Sequence, residues 1–203
     1  IVAEEAQVTI YDGDDPDLPM WMVFNRSTSG NSTMLGSSSP YATSCHMLNG
    51  ILCVGMTTGG WGISVIRFIS DSQSWLWAGY YYPATGQVGQ TIVERNDQTG
   101  WITKTGTNTG IVNGNINDVA MKVLPNAPID DATGLPVPTI ATATASGISV
   151  VRDNGDIFDT TANSYDNYAK VEFGDNNRLY YSAQGTQVVY SRAIPNADQN
   201  YSA

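Results

Sequence analysis

The chain carries few of the groups with which proteins do chemistry. Its 203 residues include one histidine, His46, and two cysteines, Cys45 and Cys53. The commonest nucleophilic sites pair Ser or Cys with His, and zinc takes three or four ligands at defined spacing. One His and two Cys do not supply that set. Basic residues are also scarce: nine, spread from Arg26 to Arg192, against 19 acidic residues, for a net charge of −10. Contact with a phosphate backbone needs clustered cations, so nucleic acid and anionic membrane surfaces are poor partners. There is no run of 18 apolar residues, so no helical membrane insertion is expected. Only 14% of residues are charged, strong helix formers are few, and no segment repeats with a period of 3.6. What remains is Ser, Thr, Asn and Gly among short apolar runs, which suits neutral polar strands and turns.

The most informative stretch is Gly50–Phe68, GILCVGMTTGGWGISVIRF. Upstream, Asn49-Gly50 is a two-residue hairpin signal, because both central positions of that turn need positive φ. This turn sets Cys45 opposite Val54 and His46 opposite Cys53. Cys45, Met47, Leu52 and Val54 then line one side of the sheet, and His46, Leu48, Ile51 and Cys53 the other. The two thiols fall on different faces, which disfavours a disulfide. Both faces are apolar, as expected of a sheet packed on both sides. A second hairpin is expected through Thr57-Thr58-Gly59-Gly60, with Val54 opposite Ile63 and Leu52 opposite Val65.

The pattern recurs. Gly-Ile-Ser-Val stands at 62–65 and again at 147–150, and a third related run starts at Arg178. Leu52, Ile140 and Leu179 occupy the same place in the three copies, with separations of 88 and 39 residues. A unit of roughly 40 residues built from short strands is the signature of a propeller blade. The first separation then fits two units, with a degraded copy near residues 90–106. The expectation is an all-β chain, a β-propeller or propeller segment of short antiparallel meander blades. It forms one domain over residues 1–203 and is read as part of a longer chain.

Elsewhere, strands are expected at 5–11 and 20–24 around a turn rich in Asp, and a hairpin at 91–105. An excursion is expected at 124–138, with four prolines, then strands at 139–151, 156–159, 168–173, 178–183 and 187–192, a loop at 160–166 and a polar tail.

Candidate sites are few. His46 reads as a hydrogen-bonded residue inside a sheet. Asp12, Asp14, Asp15 and Asp17 lack the ordered positions of an EF-hand loop and read as a turn whose side chains cap local N–H groups. The remaining carboxylates sit mostly in turns, and nothing in sequence pairs them as glycoside hydrolysis requires. No enzyme activity, cofactor or metal is expected. The aromatic cluster Trp75, Trp77, Tyr80, Tyr81 and Tyr82 is the most suggestive feature. It reads either as a sugar- or protein-binding surface or as strand packing at a sheet edge.

Three runs, 116–157 (INDVAMKVLPNAPIDDATGLPVPTIATATASGISVVRDNGDI), 11–25 (YDGDDPDLPMWMVFN) and 59–71, resemble segments of large virion proteins of marine tailed bacteriophages. The resemblance extends over most of 7–192 and carries no catalytic residues. It implies a propeller region in a tail or tail-fibre component of the virion, partnered by other virion subunits or further copies of itself, and touching a host-surface glycan. The alternative expectation is a secreted carbohydrate-binding or carbohydrate-active propeller protein.

Overall fold

The computed structural model describes residues 1–4, 6–25, 34–35, 41–57, 59, 61–70, 72–82, 110–162, 167–185 and 187–201. These form sixteen strands in four sheets, with no helix among the described residues. The first sheet is β1 (Val2–Glu4), β2 (Gln7–Tyr11) and β3 (Met20–Asn25). The second is β4 (Tyr41–Leu48), β5 (Ile51–Thr57), β6 (Ile63–Arg67), β7 (Ser72–Trp77) and β8 (Tyr80–Tyr82). The third begins with β9 (Ile116–Lys122), β10 (Thr139–Thr144), β11 (Gly147–Val151) and β12 (Ile157–Ala162). The fourth is β13 (Tyr168–Phe173), β14 (Arg178–Ala183) and β15 (Val189–Ala193). Each is an antiparallel meander whose strands lie in chain order. The last strand, β16 (Gln199–Tyr201), returns to the third sheet and pairs in parallel with β12. The polar tail, for which no strand was expected, thus holds one, and β12 runs to Ala162 where a loop was expected from 160. No local pattern announces a pairing across a gap of 39 residues, Thr160 to Gln199.

Local turn chemistry fixes the second sheet. Asn49 and Gly50 both take positive φ, 50° and 74°, as a type I′ turn requires. Cys45 pairs with Val54 and His46 with Cys53, as the turn predicts. The next hairpin departs from expectation by one residue: Leu52 pairs with Ile66 and Gly55 with Ile63. A one-residue slip exchanges the faces of a strand, so Ile63 and Val65, not Ser64 and Ile66, share a face with Cys53. The loop is longer because Trp61 leaves the strand to join Trp75 and Trp77, and Met56 N–H closes it on the Gly62 carbonyl.

The sheets stack face to face in chain order. Leu52, Val54, Met56 and Ile66 of the second sheet meet Val8, Ile10 and Phe24 of the first. Its other face, with Cys53, Ile63, Val65 and Leu76, meets Ile116, Val119, Met121 and Ile140 of the third. Gly55 lets β9 come close: a Cβ there would lie 2.6 Å from Ile116 Cγ2. On the third sheet's far face, Ala120, Ala141 and Ala143 leave room for Tyr168, Phe173 and Tyr181 of the fourth. The hairpin expected at 91–105 lies outside the described residues. The second and third sheets pack directly on one another, so the 88-residue spacing does not represent two successive sheets of the stack.

The three aligned residues nonetheless occupy one structural position. Leu52, Ile140 and Leu179 are each the second residue of the second strand of their sheet. All three are buried and face the preceding sheet. The repeated Gly-Ile-Ser-Val stands at the head of the third strand in both copies, with Gly62 just before β6 and Gly147 opening β11. Each glycine abuts a fourth-strand carbonyl, Leu76 O for Gly62 and Thr160 O for Gly147. Each isoleucine and valine faces the following sheet, and each serine faces the preceding one.

Those serines do the same work. Ser64 Oγ donates to the Met34 carbonyl at 2.7 Å, and Gln73 Nε2 donates to that carbonyl at 2.8 Å. This fixes Met34 and Leu35, both buried, between the first and second sheets. Ser149 Oγ accepts from Val112 N–H at 2.9 Å and holds the neighbouring Ile111 between the second and third sheets. The first two inter-sheet spaces are thus each filled from the segment leading into the next first strand.

Candidate functional site

The aromatic residues singled out by sequence fall on the β7–β8 hairpin. Trp75 pairs with Tyr82, Leu76 with Tyr81 and Trp77 with Tyr80. Trp75 and Trp77, two apart, share a face and pack edge-on against Trp61, with ring centroids 5.8 and 5.0 Å away. Trp75 is buried, Trp77 half-buried and Tyr80 exposed. The side chains of Tyr81 and Tyr82 lie outside the described residues. Trp75, Trp77 and Tyr80 share one face, because Tyr80 is the cross-strand partner of Trp77, so the split follows position along the hairpin: burial falls from Trp75 through Trp77 to Tyr80 at the turn.

A second constellation, which sequence reasoning missed, runs along the first strands β4, β9 and β13. Asp118, on β9, is buried and joins three sheets. Its Oδ1 accepts from Ser44 Oγ of the second sheet at 2.8 Å, and its Oδ2 from the Val171 N–H of the fourth at 3.2 Å. Lys170, largely exposed, stands 3.4 Å from Oδ1. On the same seam Thr43 Oγ1 donates to the Ile116 carbonyl at 2.8 Å and Asn117 Nδ2 to the Tyr168 carbonyl at 2.7 Å. His46 Nδ1 accepts from Met121 N–H at 3.3 Å, in the structural setting its place in the hairpin suggested. Bonds between adjacent first strands come from side chains because these strands belong to different sheets and share no ladder. The alternation inside INDVAMK carries no signal for this.

Asp159 is a related case on β12. Burial raises its pKa above the ordinary carboxylate range, against the hydrogen bond from Ser149 Oγ at 2.6 Å, and nearby Asp198 raises it further. The Asp12–Asp17 turn behaves as a turn: Asp12 Oδ1 accepts from Asp14 N–H and Asp15 Oδ1 from Asp17 N–H. Among the described residues no group of three or more His, Cys, Asp or Glu is gathered as metal ligands. Burial pushes the Cys53 thiol far up and the half-buried Cys45 thiol up as well. The two thiols are free and lie on opposite faces.

The third feature is a cleft of about 130 Å³ between the outer halves of the second and third sheets. One wall is Ile51, Val65 and Leu76, and the facing wall is Ile140, Val151 and Ile157. Arg67 and Arg152 both line it, with Ser74 and Asp153. Arg67 sits opposite Ile51 on the row shared with the third sheet. Arg152 follows the last residue of β11 in a turn closed by its own N–H on the Asp156 carbonyl. Sequence reasoning passed over both arginines because neither belongs to a charge cluster; only the stacking brings them to one space.

No family model matches the chain, and no curated protein and no solved structure matches it.

Proposed function

We propose that the chain is a β-propeller segment of four blades that serves as a structural and adhesion module of a bacteriophage tail. In this reading it contacts neighbouring virion subunits or the host surface and does no chemistry. The observation that carries it is the burial pattern of the stack. Among the described residues, the two central sheets carry core clusters on both faces, whereas the first and fourth each carry one on a single face. Support for blades comes from the chain-order stacking, with the first strands of the second, third and fourth sheets side by side and tied by the Asp118 seam. Support for the tail comes from the likeness of 11–25, 59–71 and 116–157 to virion proteins.

The end faces are where neighbours would attach. The other face of the first sheet carries Val2, Tyr11 and Met20, all exposed, around the buried Thr9. That of the fourth carries Lys170 and Glu172. Packing one end on the other end of a further copy is a heterologous contact, which closes rings or continues as an open array. Exposed apolar side chains on such a face would invite aggregation, which such assembly suppresses. The test is immunogold electron microscopy on particles of a phage carrying this gene, with antibody to the recombinant chain. Gold on the tail supports the reading; purified particles that contain no peptide of the chain refute it.

One observation favours a second reading, a carbohydrate-binding module: Tyr80 is exposed beside the half-buried Trp77 at the outer edge of the second sheet. Binding on a glycan array that is lost in Trp77→Ala supports it, and an array blank for the native chain removes it.

A further inference from the structure

Strand β3 and the turn before it expose apolar side chains that the fold does not need there. Six of the 13 large apolar residues left exposed among the described residues fall within residues 1–25. Leu18, Met20 and Trp21 are 56%, 62% and 57% exposed, and Ile69 of the second sheet 62%. Trp21 owes its place to a β-bulge. Ile10 pairs with Met22 and Tyr11 with Met20, which leaves Trp21 between them with no partner in the register. A bulge re-aims a side chain. Here the indole is turned onto Phe68, ring centroids 5.7 Å apart, and Ile69 follows Phe68 in the turn from β6 to β7. Leu18 is held at φ 46°, where a side chain is strained and where Gly or Asn suits a turn better. Neither turn chemistry nor the core therefore accounts for Leu18 or Trp21.

The charge beside these side chains has one sign. Residues 1–25 hold six of the chain's 19 acidic residues and no Lys or Arg. Asp12, Asp14, Asp15 and Asp17, all exposed, stand in the turn that leads to Leu18 and β3. Asp12 and Asp15 each spend a carboxylate oxygen on a backbone N–H of the turn. The Asp14 and Asp17 carboxylates have no partner among the described residues. Clustered apolar exposure marks an interaction site, and acidic groups at its rim select a partner of opposite charge. The aliphatic side chains of Leu18, Met20 and Ile69 beside the indole suit a protein better than a sugar, whose hydroxyls lose by desolvation unless they are hydrogen-bonded.

We propose that this corner of the first and second sheets binds a basic polypeptide segment carrying an apolar anchor. The anchor sits on Trp21, Leu18 and Ile69, and the basic side chains face the Asp12–Asp17 turn. The inference goes beyond the tail reading and is independent of it, since it states the chemistry of the partner whichever assembly supplies that partner.

The probe is an end-blocked peptide, Lys-Leu-Lys-Leu-Lys-Leu-Lys, titrated into the whole chain and followed by the Trp21 indole N–H and the Ile69 methyl resonances. Saturable shifts are expected at both. The indole signals of Trp61 and Trp75, at the opposite end of β6 and β7, are expected to stay unmoved. Glu-Leu-Glu-Leu-Glu-Leu-Glu keeps the anchors with the opposite charge, and Lys-Ser-Lys-Ser-Lys-Ser-Lys keeps the charge without anchors. Each is expected to bind at least about tenfold more weakly. Trp21→Ala, read at Ile69, is expected to weaken the probe by about tenfold or more. Asp14→Asn combined with Asp17→Asn spares the two carboxylates that cap the turn. It is expected to weaken the probe by about threefold or more and to flatten the dependence on salt. The native titrations stand even if a variant fails to fold. No shift at Trp21 and Ile69, equal binding of either control peptide, or unchanged affinity in a folded Trp21→Ala chain overturns the proposal.

Discussion

Gly62 offers a sharp test of why Gly-Ile-Ser-Val recurs. Gly62 and Gly79 have nearly the same backbone, φ 69° and 70°, so alanine at either should cost about 1 kcal/mol for the left-handed conformation. Their surroundings differ. At Gly79 a Cβ would meet nothing within 4 Å, whereas at Gly62 it would lie 1.8 Å from the Leu76 carbonyl oxygen. Relief means moving backbone until that distance reaches the 3.0 Å that real contacts respect. The strands that must part are β6 and β7, paired at Ile63 and Leu76. The move also strains two bonds of Gly62, its N–H to the Gly114 carbonyl and its carbonyl to Met56 N–H. Gly62→Ala should therefore cost about 3–4 kcal/mol and Gly79→Ala about 1 kcal/mol. Urea unfolding followed by tryptophan fluorescence reads both as a shift in midpoint at unchanged slope. If the two variants agree within about 0.5 kcal/mol, the close approach is not what selects glycine at the head of the motif.

Asp118→Ala should destabilise by about 2–4 kcal/mol, because it strands the Val171 N–H and Ser44 hydroxyl that the carboxylate joins. Lys170→Ala, removing an exposed charge, should cost less than about 1 kcal/mol; chemical denaturation compares the two, and equal costs would dissolve the seam. Asp159→Asn tests linkage. Because the folded pKa of Asp159 is raised, its contribution to stability is present below the unfolded pKa and lost as pH rises through the folded value. The variant should thus be the more stable protein at neutral pH, with the gap closing as pH falls to the ordinary carboxylate range, and a gap that widens on acidification contradicts the argument. With a thiol-reactive disulfide reagent, native protein should react slowly at Cys45 and not at Cys53, both reacting once unfolded. Prompt labelling of Cys53 would mean that the second and third sheets are not in contact there.

What the sequence made legible was local or periodic. Asn49-Gly50 dictated its own turn and, through it, the register that sends Cys45 and Cys53 to opposite faces. The spacing of Leu52, Ile140 and Leu179 marked one structural position because burial against a preceding sheet selects an aliphatic residue there each time. The Gly59-Gly60 hairpin slipped by one residue because Trp61 is claimed by Trp75 and Trp77, a tertiary demand that turn chemistry does not register. β16 stayed hidden because its pairing with β12 is parallel and distant. Ser64, Ser149, Asp118, Arg67 and Arg152 owe their roles to the stacking of one sheet on another. Trp75 and Trp77 were noticed as aromatics, but only the packing separates the buried one from the half-buried one.

The order of the stack is the claim on which the rest depends, and methyl NOEs measure it directly. Leu52 methyls should show cross peaks to first-sheet side chains such as Val8 and Ile10, the Ile140 methyls to second-sheet Ile51, Val65 or Leu76, and Leu179 to third-sheet Ala141, Ile148 or Val150. Cross peaks from Ile140 to the first sheet, or from Leu179 to the second, would contradict it.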